Sequence, residues 1–356
     1  MTVNAFAPSK WPMLRFALRQ RAAIRSAFDR LGCEFFCRFP RQPKAAPFFK
    51  QLVWRTLLKN LAAAAYWLDT YRNVIKRTGA RMVVSSTYSS MQGRAAAWAA
   101  RQQNVISVYV QHGILTPEYV YSHFCQDIKL LWGDSDRRYL SSHGHRPESL
   151  VVTGATLYDA YVRSLAEEKE RCPAVQDPII AFMAPRTGGA VCSVEASREV
   201  LCDVIDCVEA LGSATLLVKK HPGDASAVLQ EIVSRYPRHR MVEDGNSQDV
   251  IQQADIIVVV SSTTGYEACL AGKPLIVFVP NGLYDYTQFA AYDAAIRVST
   301  RAELLKALQH LTTDGSVRSG LAEGQKKFVQ DALNGGGGGA AQLAAAALWD
   351  VLQKSN

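Results

Sequence analysis

Asp255-Ile256-Ile257-Val258-Val259-Val260-Ser261-Ser262-Thr263-Thr264-Gly265-Tyr266-Glu267 decides the fold of this chain. The five branched apolar residues Ile256–Val260 have the length and composition of a central strand buried on both faces. Four hydroxyl residues then turn the chain into a helical pattern, Gly265–Leu270. About forty residues upstream the arrangement recurs: the run Ala214–Lys219 ends at Lys219-Lys220-His221-Pro222, ahead of a helical pattern over Ser226–Tyr236. Outward from these two, the strand-like runs are Ile179–Met183, Arg240–Val242, Leu275–Val279 and Ala295–Val298. They alternate with helical segments Val194–Leu211, Gln248–Gln253 and Arg301–Leu311. Such alternation predicts parallel β-α-β units in a doubly wound α/β domain.

The first half repeats the theme. Met82–Ser85, Val105–Val110, Ile128–Trp132 and Leu150–Val152 read as strands, with a helix over Gln92–Gln102 between the first two. Ahead of them, residues 1–78 read as helical and basic, with breaks near Gly32 and at Pro40, Pro43 and Pro47, and a long helix over Phe48–Lys76. Pro173, Asp177 and Pro178 mark a boundary, so the expected domains are 79–172 and 173–334. The five-glycine run Gly335–Gly339 and the Ala-rich helix Ala340–Leu352 close the chain over 335–356; the glycines read as a plain loop or as a hinge that returns the last helix to the first domain.

With 356 residues, 48% apolar and 20% charged, the chain has the composition of a globular protein with two cores. No run approaches the ~18 apolar residues of a membrane span. Arg15, Arg19, Arg21 and Arg25 interrupt any signal-peptide core, which gives a cytoplasmic expectation. The eight cysteines are scattered, and Cys33 and Cys37, four apart, have no histidine cluster nearby, so free thiols are expected and no metal site. The net charge of +8 is concentrated at the front, where Lys10, Arg15, Arg19, Arg21, Arg25, Arg30, Arg38, Arg41 and Lys44 flank Trp11, Met13, Leu14, Phe16 and Leu18. Such a segment suits peripheral contact with an anionic inner membrane surface, or a helix packed on its own domain with its arginines in water. No nucleic-acid motif accompanies the charge.

In an open parallel sheet, ligands bind at the carboxyl ends of the strands. Ser261, Ser262, Thr263 and Thr264 sit at such an end and at a helix start, where free N–H groups and a partial positive charge suit phosphate. Thr264-x-x-Glu267 is also a capping box, which would satisfy those amides internally; Glu267 reads either as that cap or as an acceptor for ribose hydroxyls. Pro222 ends its strand and forces His221 to the tip, with Lys220 able to add charge. Strand alternation sends Lys219 and Lys220 to opposite faces, so only one of them reaches the site. Arg186, in Ala184-Pro185-Arg186-Thr187-Gly188-Gly189, is a phosphate clamp at the next tip or a solvated turn. In the first half, Gln111-His112-Gly113-Ile114 ends a strand, and His112 is a candidate general base, with Glu118 and Asp136 behind it. Ser85-Ser86-Thr87-Tyr88 ends an earlier strand on the same side. A P-loop and a Gly-x-Ser-x-Gly elbow are both absent, and Asp134-Ser135-Asp136 supplies the letters of a metal-binding Asp-x-Asp without a convincing strand-end setting.

Together, Gln111-His112-Gly113, Lys220-His221-Pro222 and Asp255…Ser261-Ser262-Thr263-Thr264…Glu267-Ala268…Gly272-Lys273-Pro274 resemble bacterial GT-B transferases of surface polysaccharide synthesis. The nearest echoes are CDP-glycerol glycerophosphotransferases and the sialyl-, polysialyl- and Kdo-transferases. The resemblance implies a GT-B-like pair of Rossmann-like domains facing a cleft, with an extra helical N-terminus. It implies a cytidine nucleotide held by His221 and by Ser262–Thr263, and a His-Gly at His112 like that of the glycerophosphotransferases. The expected partners are a nucleotide-sugar donor, as substrate rather than cofactor, and a glycan or lipid-linked acceptor; no metal and no nucleic acid are expected. Val152-Thr153-Gly154-Ala155-Thr156…Asp159-Ala160 looks like the linker strand of UDP-N-acetylglucosamine 2-epimerases, so an epimerase and a non-catalytic nucleotide-sugar-binding protein stand as alternatives. Glu243-Asp244-Gly245 follows the His-Pro motif, whereas the acidic motif that supplies the base in sialyltransferases precedes it; the base is therefore open.

Overall fold

The computed structural model describes residues 46–115, 124–167, 177–186, 192–224, 227–280 and 283–354, together with Ser26. Two wholly parallel sheets organise them. The first has β1 (Met82–Ser85), β2 (Ile106–Val110), β3 (Ile128–Leu131) and β4 (Leu150–Val152) in the order 1-2-3-4. The second has β5 (Ile179–Met183), β6 (Thr215–Lys219), β7 (Arg240–Val242), β8 (Ile256–Val259), β9 (Leu275–Phe278) and β10 (Ile296–Val298) in the order 10-9-8-5-6-7. All ten strands expected from the sequence are present, trimmed by a residue or so at their ends.

On one face of the first sheet, α1 (Ala46–Thr78) packs on α2 (Met91–Gln102). Ser90 caps α2 by accepting the Gly93 N–H at 3.0 Å, and the buried Ala95, Ala96, Ala97, Ala99 and Ala100 let neighbouring elements approach closely. Helix α3 (Asp134–Ser142) follows β3, and α4 (Asp159–Glu167) begins the passage to the second domain.

The second sheet is sandwiched. One core joins α5 (Val194–Ala210) and α9 (Arg301–Thr313) to Ile180, Phe182, Leu216, Val218, Ile256 and Val258. The other lies under α7 (Ser247–Gln253), α8 (Thr264–Leu270) and α10 (Gly315–Ala332), and includes Ile257, Val259, Tyr266, Phe289 and Phe328. Every residue of β8 is buried, as the unbroken apolar run requires. Between β6 and β7, α6 (Val228–Val233) is shorter than the sequence pattern suggests. Helix α10 is the principal element outside the expected alternation.

The glycine run returns the chain to the first domain. The last helix, α11 (Ala340–Gln353), lies on the face of the first sheet opposite α2, where Ala344, Ala347 and Leu348 cover Val108 and Leu130. The buried Asp159 carboxylate accepts the Ala340 and Ala341 N–H groups at 3.0 and 2.7 Å, capping α11 from the other crossover. The seam between domains is apolar as well: Trp132 and Tyr158 belong to the second domain's core. At Gly133 a β-carbon would lie 2.2 Å from the Asp331 carbonyl, so only glycine lets α3 start this close to the end of α10.

Among the described residues no helix is long and apolar enough to cross a membrane. The basic residues Lys10 to Lys44, together with Cys33 and Cys37, lie outside the described residues.

Candidate functional site

In the second sheet the chain runs from β5 outward to β6 and β7, then returns across β5 to β8, β9 and β10. The order therefore reverses between β5 and β8, and in open sheets of this kind ligands bind at the carboxyl ends of the strands at such a reversal. Arg186 stands at the tip of β5, Lys220-His221-Pro222 at the tip of the adjoining β6, and Ser261–Thr264 at the tip of β8.

His221 is exposed, and its Nδ1 accepts the Gly223 N–H at 2.9 Å. With Nδ1 accepting, the neutral ring carries its proton on Nε2 and presents a donor away from the turn. A β-carbon on Gly223 would lie 3.3 Å from His221 Nδ1 and 3.5 Å from Arg186 Nε, so the imidazole and guanidinium meet over that glycine. Arg186 is exposed and has no hydrogen bond or ion pair among the described residues; Thr187, Gly188 and Gly189 lie outside them. Pro222 occupies the exposed turn.

The two lysines separate as alternation requires. Lys219 is buried, and its Nζ donates to the carbonyls of Val242, Glu243 and Asp244 at 3.4, 2.9 and 3.3 Å. Burial lowers its pKa, with Asp244 opposing. It is a strut across the end of β7. Lys220 keeps its ammonium near the edge, 3.3 Å from Glu243 Oε2.

At the β8 tip the hydroxyls are divided between duties. Ser261 Oγ accepts the Tyr286 N–H at 3.0 Å, holding the loop after β9 against this tip. Ser262 Oγ accepts from Thr264 N at 3.2 Å and from Thr264 Oγ1 at 2.8 Å. The Thr263 carbonyl accepts Tyr158 OH at 3.3 Å, a bond from the linker between domains. The capping box does not form: Thr263, not Thr264, is the N-cap and makes no side-chain cap bond, and the Thr264 hydroxyl donates to Ser262 Oγ instead. Glu267 is buried and turns to α7, where Ser247 Oγ donates to it; burial raises its pKa, with Ser247 and Gln248 opposing. Gly265 is a packing glycine, since a β-carbon there would come within 2.5 Å of the Phe289 ring.

In the first domain, the β2 tip is tied by Gln111, whose side chain is buried. Its Oε1 accepts the Trp132 N–H at 2.8 Å, and its Nε2 donates to Asp136 Oδ2 at 2.8 Å and to the Gly113 carbonyl at 3.1 Å. The Gln111 carbonyl accepts Trp132 Nε1 at 3.0 Å. This leaves His112 exposed, with no hydrogen bond among the described residues. Burial in the seam pushes Asp136 up to about 7, with the Gln111 bond opposing and Asp331 adding to the rise. Glu118 lies outside the described residues. Asp331 is drawn below the usual carboxylate range by Arg138, which pairs with it across the seam, and by the Tyr292 hydroxyl. Gln111, Tyr158, Ser247 and Tyr286 are partners that sequence reasoning did not assign, because each acts over a long separation with no local spacing to betray it.

A family model described as capsule polysaccharide biosynthesis protein matches residues 75–288, more than half of the chain. A curated relative, the capsule polysaccharide modification protein LipA of Neisseria meningitidis serogroup A, is 36% identical over 69 residues; the match covers 18% of this chain and 10% of that protein. Among solved structures, a Listeria monocytogenes protein provisionally assigned as a UDP-N-acetylglucosamine 2-epimerase shares 17% identity, with TM-score 0.62 over 83% of this chain and 80% of that one. The UDP-GlcNAc 2-epimerase of Neisseria meningitidis, solved with UDP-GlcNAc, shares 13% identity and TM-score 0.61 over 82% of each chain. At such identities the likeness establishes the fold: two Rossmann-like parallel-sheet domains of the GT-B type.

Proposed function

The chain belongs to the capsule polysaccharide biosynthesis protein family, and from that premise we propose that it is a GT-B-type glycosyltransferase. It transfers a sugar, or glycerophosphate, from a cytidine-activated donor to an acceptor hydroxyl of a surface polysaccharide. The observation that carries this reading is that Arg186 and His221 meet over Gly223 at the tips of β5 and β6, with Ser261–Thr264 at the tip of β8 beside β5. An exposed guanidinium, an outward imidazole N–H and hydroxyls at a strand tip form a donor set for a phosphate whose charge grows as the glycosidic bond breaks. Donors fixed before the reaction need no reorganisation, and removing one such donor costs about 10²–10³ in rate.

Proton removal from the acceptor falls to His112, whose ring is exposed at the facing tip and free of partners among the described residues. Asp136 is desolvated and already engaged by Gln111. The test is a thermal-shift series with CMP, CDP, UDP and GDP. A ligand that binds only the folded state at a hundred times its Kd stabilises by about 2.7 kcal/mol, so a cytidine-selective rise in Tm is expected. Equal indifference to all four nucleotides overturns the reading.

A further inference from the structure

The loop that follows β9 presents an aromatic pair beside the candidate phosphate site. Tyr284 is 58% exposed, more open than most large hydrophobic side chains among the described residues. Its ring lies 4.7 Å from that of Tyr286, and the Tyr286 N–H is the group that donates to Ser261 Oγ. The intervening residue braces the loop. Asp285 Oδ1 accepts from Thr287 N at 2.8 Å and from Thr287 Oγ1 at 2.6 Å, and its other oxygen lies 3.6 Å from Arg297 Nε on β10. Leu283, partly buried, packs against both cores of the second sheet. An exposed aromatic on a braced loop forms a binding surface with little ordering left to do.

Topology assigns this surface an end of the ligand. Glu267, the candidate partner for a ribose, bonds Ser247, the first residue of α7 just after β7, and so faces the β6–β7 side of the crevice. Tyr284 and Tyr286 stand at the β9 tip, on the other side of β8. A phosphate at the β5/β8 switch point with its ribose turned toward Glu267 directs its second substituent to the tyrosines.

We propose that Tyr284 and Tyr286 form the subsite for the transferred glycosyl group, stacking the apolar face of its ring against the Tyr284 ring beside Ser261. This deepens the proposed function and rests on its nucleotide-phosphate reading. Tyrosine suits the task because its flat ring meets the C–H face of a sugar while its hydroxyl stays hydrated.

The test is calorimetry on the full chain with four probes: CMP, UDP, CMP-N-acetylneuraminic acid and UDP-N-acetylglucosamine. The nucleotide that binds should bind more tightly when it carries a sugar. Tyr284→Ala should weaken that conjugate by about three- to tenfold while the parent nucleotide's Kd stays within about twofold. Tyr284→Phe should keep both affinities, since the ring and not the hydroxyl makes the contact. Equal effects of Tyr284→Ala on nucleotide and conjugate, no effect on either, or no gain from the sugar in the unaltered protein overturns the subsite while leaving the phosphate site standing. Failure of every nucleotide to bind overturns the phosphate reading and the subsite with it.

Discussion

At the scale of single residues, the site is defined by which polar atoms the fold has already consumed. His221 gives up Nδ1 to the Gly223 N–H, which orients Nε2. His221→Ala should therefore cost at least tenfold in affinity and so about halve nucleotide-induced stabilisation at a hundred times the original Kd, while the exposed position keeps the Tm of the free protein within about 2 °C. His221→Asn, which retains a donor at the tip, should recover part of the affinity; calorimetry with the best-binding nucleotide reads both. Asp136 makes a different prediction. Its folded pKa of about 7 stands above the ordinary 3.8, so between those values the folded chain keeps a proton that the unfolded chain has released. Its contribution is fully present below pH 4 and is lost as pH rises toward 7. Asp136→Asn removes that dependence: relative to the unaltered protein, the variant should gain about 3 kcal/mol between pH 4.5 and 8 in denaturant unfolding. The groups that face Asp136 from other elements are Gln111, Asp331 and Tyr266, and none of them is altered by the substitution. A constant difference across that range would contradict the seam's account of this carboxyl.

Elements were legible where one rule governed them. Ile256–Val259 could be nothing but a central strand, and Pro222 could only end one, so the sheet edge that carries the candidate site was readable from composition and breakers. Helix α10 was not, because Gly315, Gly320 and Gly324 dilute its helical pattern and its burial is set by distant partners such as Phe289 and Tyr292. The Thr264–Glu267 spacing left two readings open in the sequence, and the capping signature lost to Ser262 on one side and Ser247 on the other. The paired lysines show local pattern and tertiary role agreeing, since alternation separated a strut from an edge cation. Lys219→Met leaves the Val242, Glu243 and Asp244 carbonyls without their shared donor, and it should destabilise by about 2–4 kcal/mol in urea unfolding. Lys220→Met, by contrast, should change stability by less than about 1 kcal/mol, because its partner Glu243 is half exposed. Equal effects of the two substitutions would mean that the β6 tip is not built this way.

Over the whole molecule, two crossovers and one close approach fix how the domains meet. The last helix belongs by packing to the first sheet although the chain reaches it only after completing the second. Sequence could suggest that return from the glycine run, but not the carboxylate that receives it, because Asp159 and Ala340 are 181 residues apart. Asp159 caps the returning helix, Arg138 pairs with Asp331, and Gly133 allows α3 and α10 to touch. The candidate phosphate site and the His112 tip belong to different domains, so any chemistry between them depends on that seam. Gly133→Ala places a methyl where the Asp331 and Ala332 carbonyls now lie, within 2.5 Å, and backbone cannot yield as a side chain would. The seam must open, drawing Trp132 and Tyr158 away from the second domain's core while the strands of both sheets stay buried. Amide exchange should then accelerate at the end of α10 and the start of α3, with β2 and β8 still protected. Nucleotide binding, which needs only the second domain's tips, should survive, and transfer to an acceptor should fall by at least tenfold. Equal loss of binding and transfer would show that the second domain's site is itself assembled by the seam.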